Sequence, residues 1–150
     1  MGHLLGIARA GQKRAPMAET ERAEVTPDLG ILGDARGAKP GRQVTVLFRE
    51  GWESACRDLG VALPWVTRRA NLLVEGMAVP RERAHLVIGD LILEVMEETK
   101  PCRVMEAACR GLRQALAPEW RGGVTCRVIR GGTIRVGDRV EVCNGPGSPA

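Results

Sequence analysis

Leu91-Ile92-Leu93-Glu94-Val95-Met96-Glu97-Glu98-Thr99-Lys100-Pro101-Cys102-Arg103 joins three different kinds of sequence. Residues 91–95 carry the alternation of a β-strand, and the run ends in two carboxylates, Glu97 and Glu98. Val104, Ala107, Ala108, Leu112 and Leu116 follow at helical spacing, with Met105 as packing and Gly111 placed to divide the helix in two. Between strand and helix stands Pro101-Cys102. Proline suits a helix's first turn, where its missing N–H would be unpaired anyway. A cysteine in that turn lies near the positive end of the helix dipole, and Lys100 and Arg103 flank it with two cations. Both effects favour thiolate, the form that binds soft metals and attacks electrophiles. The competing reading is a small buried hydrophobe, the usual fate of a free cysteine.

Strand signals recur on either side. Upstream, Ala84–Ile88 pairs through the Gly89-Asp90 turn with Leu91–Val95, and Leu72–Glu75 is a strand ended by Gly76. Gln43–Phe48 alternates and is β-branched. Arg49–Leu59 reads as a helix with Trp52, Ala55, Cys56 and Leu59 on one face and Gly60 as its C-terminal stop. Leu4–Ala8 and Glu21–Thr26 are further short strands. Downstream, Val124–Ile129 is expected to turn at Gly131-Gly132 and pair back through Thr133–Val136, before Arg139–Val142. About eight short strands with two or three helices do not alternate as a wound parallel sheet requires. The expected class is mainly β with short helices (α+β), a closed or nearly closed barrel with helices on its rim. The domain spans 1–142, and 143–150 is expected to be a disordered tail.

Two polar stretches bear on ligands. Arg68, Arg69 and Asn71 stand at the entrance to the Leu72 strand. Arginine offers forked donors that match phosphate oxygens, and asparagine offers a donor and an acceptor to a heterocycle edge. They read equally as a charged strand end in water. Residues 28–43 are glycine-rich and include Gly33-Asp34. Their backbone N–H groups could cradle an anion, or the segment could be a turn-rich connection. Ala10–Pro16 is a basic loop.

Composition narrows the classes. The chain has no tyrosine and one phenylalanine, so its core is aliphatic and stacking platforms for single-stranded nucleic acid are not expected. A net charge of +4, with basic residues spread along the chain, could attract a phosphate-bearing small ligand or weakly hold nucleic acid, without specific recognition, and is more often a solvated surface. Five cysteines, an odd number without a C-x-x-C pair, suggest neither a disulfide framework nor a zinc site. No apolar run reaches the roughly 20 residues that span a bilayer. With no signal peptide pattern, a reduced, cytoplasmic compartment is expected.

Taken together, Gly30-Ile31-Leu32-Gly33-Asp34, Gly41-Arg42-Gln43-Val44, Arg69-Ala70-Asn71-Leu72 with Glu75-Gly76, Gly89, Pro101-Cys102, Gly131-Gly132 and Val136-Gly137-Asp138 fall in an order that resembles the MOSC domain over residues 4–142. This is the module at the C-terminus of molybdenum cofactor sulfurases, found also in stand-alone bacterial proteins and in amidoxime-reducing molybdoenzymes. The resemblance implies a barrel related to the pyruvate kinase β-barrel domain. It makes Cys102 the family's key cysteine, a molybdenum ligand in the amidoxime-reducing members and a proposed sulfur handler in the sulfurase. Arg69 and Asn71 match the family's Arg-x-Asn, which contacts the pterin. Gly33 and Asp34 match a Gly-Asp that many stand-alone members follow with histidine. Here Ala35, Arg36 and Gly37 follow, so no acid–base role carries over.

The implied cofactor is a pterin dithiolene with a phosphate. It needs a soft ligand (Cys102), cations (Arg68 or Arg69, with Lys100 and Arg103 as alternatives) and amide-type groups (Asn71). The first functional expectation is therefore a molybdenum-cofactor protein, an oxidoreductase acting on N-hydroxylated compounds. Its electrons would come from a redox partner, because no iron–sulfur, flavin or nicotinamide pattern is present. The second is a sulfur carrier holding a Cys102 persulfide supplied by a separate cysteine desulfurase. The third is a β-barrel interaction domain without chemistry.

Overall fold

The computed structural model describes residues 1–143. In chain order the elements are β1 (Gly2–Arg9), β2 (Ala18–Thr20), β3 (Arg22–Thr26), β4 (Gly30–Ile31), β5 (Val44–Phe48), α1 (Arg49–Leu59) and β6 (Leu72–Glu75). There follow β7 (His85–Ile88), β8 (Leu91–Glu98), α2 (Arg103–Ala108), α3 (Leu112–Ala115), β9 (Val124–Arg130), β10 (Gly132–Arg135) and β11 (Arg139–Cys143). Seven strands close a barrel in the order β1-β6-β5-β9-β8-β7-β11, because β11 pairs back onto β1 at Gly2↔Val140 and His3↔Arg139. Closure leaves these strands no free edge. β2 hangs on β1, and β3, β4 and β10 form a separate three-stranded sheet.

One parallel pair interrupts the antiparallel order: β5 and β6, in register at Val46↔Leu72. A parallel pair needs a crossover, here α1 and a 3₁₀ turn over Trp65–Arg68. The crossover explains why all five residues of β5 are buried. Val44, Val46 and Phe48 enter the barrel core, while Leu47 lies in a second core with Leu73, Trp52, Ala55, Met105, Leu112 and Leu116. The helices thus pack on the outer wall of β5 and β6 rather than on the barrel rim. Each fully buried Leu, Ile or Val contributes about 1.5–3 kcal/mol relative to exposure. The small sheet covers the barrel with Ala23, Val25, Ile31 and Ile134.

α1 spans Arg49–Leu59 as its periodicity predicts, and Gly60 closes it at φ +67. Gly111, at φ +87, separates α2 from α3. Three expectations are corrected. Gly131-Gly132 is not a hairpin turn: neither glycine has the positive φ such a turn demands. β10 instead pairs with β3, from Gly132↔Val25 to Arg135↔Arg22. The apolar face of α2 is Met105, not Val104, Ala107 and Ala108, which are exposed. Cys102 is the N-cap of α2 rather than a first-turn residue, with extended backbone at φ −131 and ψ −173. β11 runs to Cys143, opposite His85, and the expected tail beyond it lies outside the described residues. No helix among the described residues is long and apolar enough to cross a membrane.

Candidate functional site

The outer face of β5 that carries Leu47 beneath the helices continues, two residues earlier, to Thr45. Thr45 lies on the wall of a cavity of about 540 Å³. Four further segments line it. The strand-to-helix passage supplies Thr99, Lys100, Cys102, Val104 and Met105; the crossover supplies Arg68 and Arg69; the loops after β1 and β4 supply Lys13, Arg14, Arg36 and Arg42. Seven cations and no carboxylate therefore line it. None of the seven takes part in a salt bridge among the described residues. Two other hollows, of about 510 and 680 Å³, do not include Cys102; one is lined by Glu98, Glu106 and Arg113, the other by Trp52, Cys56 and Leu63.

Cys102 is the one exposed thiol of the five, all of which are free. Its carbonyl accepts from Met105 N at 3.0 Å, which starts α2, and its side chain makes no cap. A six-residue helix has few aligned peptides, so the surrounding cations, more than a dipole, set the field at the sulfur. Cys126, by contrast, lies wholly inside the barrel, and burial pushes its thiol far up.

Arg68 is only 7% exposed. Its Nε donates to Gly122 O at 3.0 Å and its Nη2 to Thr99 O at 2.8 Å, so it staples the end of β8 to the start of β9 beneath the cavity. Burial lowers its pKa; charge on Cys102 raises it, and Arg42 and Arg36 lower it further. Arg69 adopts a left-handed backbone, φ +63, at the end of the 3₁₀ turn. Its Nη2 donates to Ala15 O at 2.7 Å, and its own carbonyl accepts from Arg36 Nη2 at 2.9 Å. Burial lowers the pKa of Arg36, Asp34 raises it, and Arg69 and Arg42 lower it.

The expected site residues are only partly brought together. Cys102, Lys100, Arg68 and Arg69 share the cavity. Arg103 is exposed on α2 and does not line it. Asn71 is buried below: Oδ1 accepts from Thr45 N at 3.0 Å and Thr45 Oγ1 at 3.2 Å, and Nδ2 donates to Ala8 O at 3.1 Å. Gly33 and Asp34 stand behind the loop wall. Asp34 Oδ1 accepts from Ala10 N at 3.1 Å, and Gly33 has φ +88 close to the Arg9 guanidinium. Sequence reasoning missed Arg36, Arg42, Lys13, Arg14, Thr45 and Thr99 as site residues. The basic 10–16 loop and the glycine-rich 28–43 stretch held the signal, but their side chains, not their backbone amides, turn to the cavity.

A molybdenum cofactor is tested by these donors. No group of three or more His, Cys, Asp or Glu among the described residues is placed to hold a metal ion. A metal at Cys102 would then take one protein ligand and draw the rest from the cofactor. The soft sulfur, the uncompensated cations and Thr99 Oγ1, a buried hydroxyl without a partner, suit a group that joins metal, phosphate and heterocycle. The residues fit.

Comparison with known proteins agrees with this architecture. No curated protein matches the chain. The structure is similar to YuaD from Bacillus subtilis, with TM-score 0.80 at 20% identity over 95% of this chain and 96% of that one. It is similar to YiiM from Escherichia coli, with TM-score 0.69 at 17% identity over 93% and 69%. YiiM from Geobacillus stearothermophilus gives 0.70 at 14% over 95% and 75%. Likenesses at such identities speak for the fold alone. The MOSC domain pattern, however, matches residues 34–141, from Asp34 to the last barrel strand and with Pro101-Cys102 inside it. That pattern covers most of the chain and the barrel accords with it, and the chain belongs to the MOSC domain family.

Proposed function

We propose that this MOSC protein binds a molybdenum cofactor, with Cys102 as the protein's single ligand to the metal. The observation that carries the reading is the exposed thiol on a cavity lined by seven cations and no carboxylate. When bound, the cofactor supplies a redox metal suited to the reduction of N-hydroxylated compounds. The chain's own residues do the rest. Lys100, Arg69 and the free donors of Arg68 neutralise the phosphate. Thr99 Oγ1 offers a hydrogen bond to the pterin edge. Val104 and Met105 give the cavity an apolar side beside Cys102. Arg68 positions Thr99 by holding its carbonyl. Electrons come from a separate redox partner.

Elemental analysis tests this on protein purified without oxygen from a cofactor-producing host. Wild type is expected to carry molybdenum in stoichiometric amount and Cys102→Ala none. Equal metal in the mutant refutes the ligand assignment.

The exposure of Cys102 also supports a second reading, sulfur carriage. A donor protein can reach the thiol, and Lys100 and Arg68 would stabilise a persulfide anion. Incubation with a cysteine desulfurase and cysteine then adds one sulfur to the Cys102 peptide. An unchanged mass refutes it.

A further inference from the structure

One part of the cavity exceeds what a single phosphate needs. Arg68 and Arg69 already spend donors on Gly122, Thr99 and Ala15 carbonyls, and Lys100 stands beside the thiol. The adjoining wall comes from two other loops and carries Lys13, Arg14, Arg36 and Arg42, with Arg36 in contact with the Arg69 carbonyl. The fold builds this wall with care. Ala35 N donates to Ala10 O at 2.8 Å and Asp34 accepts from Ala10 N, so the two loops are tied to each other. Arg36 is aimed by its bond to the Arg69 carbonyl, in a residue held at φ +63.

Such a wall opposes itself electrically. Arg36 feels like charge from Arg69 and Arg42, and Arg68 feels it from Arg42 and Arg36. Asp34 is the one carboxylate that offsets Arg36, and no salt bridge relieves Arg42, Lys13 or Arg14 among the described residues. Arg36 is half-buried in this field, whereas Arg42, Lys13 and Arg14 are exposed on the cavity's lining, with their charged ends available to an anion. Guanidinium pairs recognise phosphate oxygens in forked geometry.

We propose that Arg36 and Arg42, with Lys13 and Arg14, form a second anion subsite on the loop wall, so that the cavity takes ligands carrying two adjacent phosphate groups, a diphosphate, in preference to one. The proposal concerns the same cavity as the cofactor reading but stands on the cations alone. Its test uses metal-free protein, and its failure is separate from a failure of the molybdenum analysis.

Isothermal titration at low ionic strength compares inorganic pyrophosphate with orthophosphate. Wild type is expected to bind pyrophosphate at least about tenfold more tightly, the gain of added charge-assisted hydrogen bonds. Arg36→Gln/Arg42→Gln removes that preference and keeps orthophosphate binding. Arg22→Gln/Arg135→Gln removes the same charge from the separate β3–β10 pair and leaves the preference intact. Circular dichroism checks that each variant is folded; if the first pair unfolds, Lys13→Gln/Arg14→Gln on the exposed loop serves in its place. Equal affinities in wild type overturn the proposal. So does an equal loss in the Arg22/Arg135 control, which would reduce the effect to net charge.

Discussion

Asn71→Ala is the sharpest perturbation of the wall beneath the cavity. Asn71 is 2% exposed and its side chain bridges β1 and β5 at the entrance to β6. Truncation leaves the Thr45 N–H and the Ala8 carbonyl buried without these partners, and Thr45 Oγ1 loses its acceptor. Two orphaned backbone groups at about 1–3 kcal/mol each give a loss of about 2–5 kcal/mol once partial relaxation is allowed. That is a large share of the about 5–15 kcal/mol that holds a domain together. At about 2–4 °C per kcal/mol for a chain of this size, Tm should fall by roughly 5–20 °C. Urea unfolding of the metal-free protein, followed by far-UV circular dichroism, measures the change beside Arg103→Ala. The latter sits on an exposed face and should stay within about 0.5 kcal/mol of wild type. A loss below about 1 kcal/mol for Asn71→Ala would refute the network argument and return Asn71 to the role of a ligand-facing group.

Three other outcomes follow from the structure. Gly123 combines φ +91 with a site where a Cβ would collide with the Val46 carbonyl, so Gly123→Ala should leave little soluble folded protein, whereas Gly41→Ala, at φ +73 with open space around it, should cost only about 1–2 kcal/mol in the same urea experiment. Among the cysteines, brief alkylation and peptide mass mapping should mark Cys102 first and Cys126 only after denaturation. Burial raises the Cys126 pKa from an ordinary 9.0, so its contribution is complete below pH 9 and is lost as the unfolded chain's thiol ionises above it. The stability difference between wild type and Cys126→Ala should therefore shift against wild type by about 1.4 kcal/mol per unit above pH 9. A pH-independent difference would contradict the buried placement.

Much of the barrel is legible in local pattern. Gln43–Phe48, Leu72–Glu75 and Leu91–Val95 alternate or carry β-branched runs, and Gly60, Gly76 and Gly111 stop or divide elements where a positive φ is required. Partner choice is not local. Gly131-Gly132 has the composition of a hairpin turn, yet Val25 and Leu91 pack so near these two glycines that their bareness serves close approach instead. Val104 has the spacing of a core residue and stands exposed at the cavity, because the six-residue α2 turns Met105 to the second core. The site divides in the same way. Pro101-Cys102 between two cations is visible in the chain, and so are Arg68 and Arg69. That Arg68 is spent on Thr99 and Gly122, that Asn71 serves Thr45 and Ala8, and that Arg36 and Arg42 face the thiol's cavity all depend on contacts between residues far apart in sequence.

By itself the sequence determined the class of elements, the place of one cysteine between a strand and a helix with cations on either side, and the excess of positive charge, since these rest on residue type and short-range periodicity. Only the tertiary structure decided which strands pair, which face of α2 is buried, and which cations share one cavity with Cys102. Those outcomes depend on barrel closure through β1 and β11 and on the crossover between β5 and β6, where contacts distant in the chain outweigh local preference.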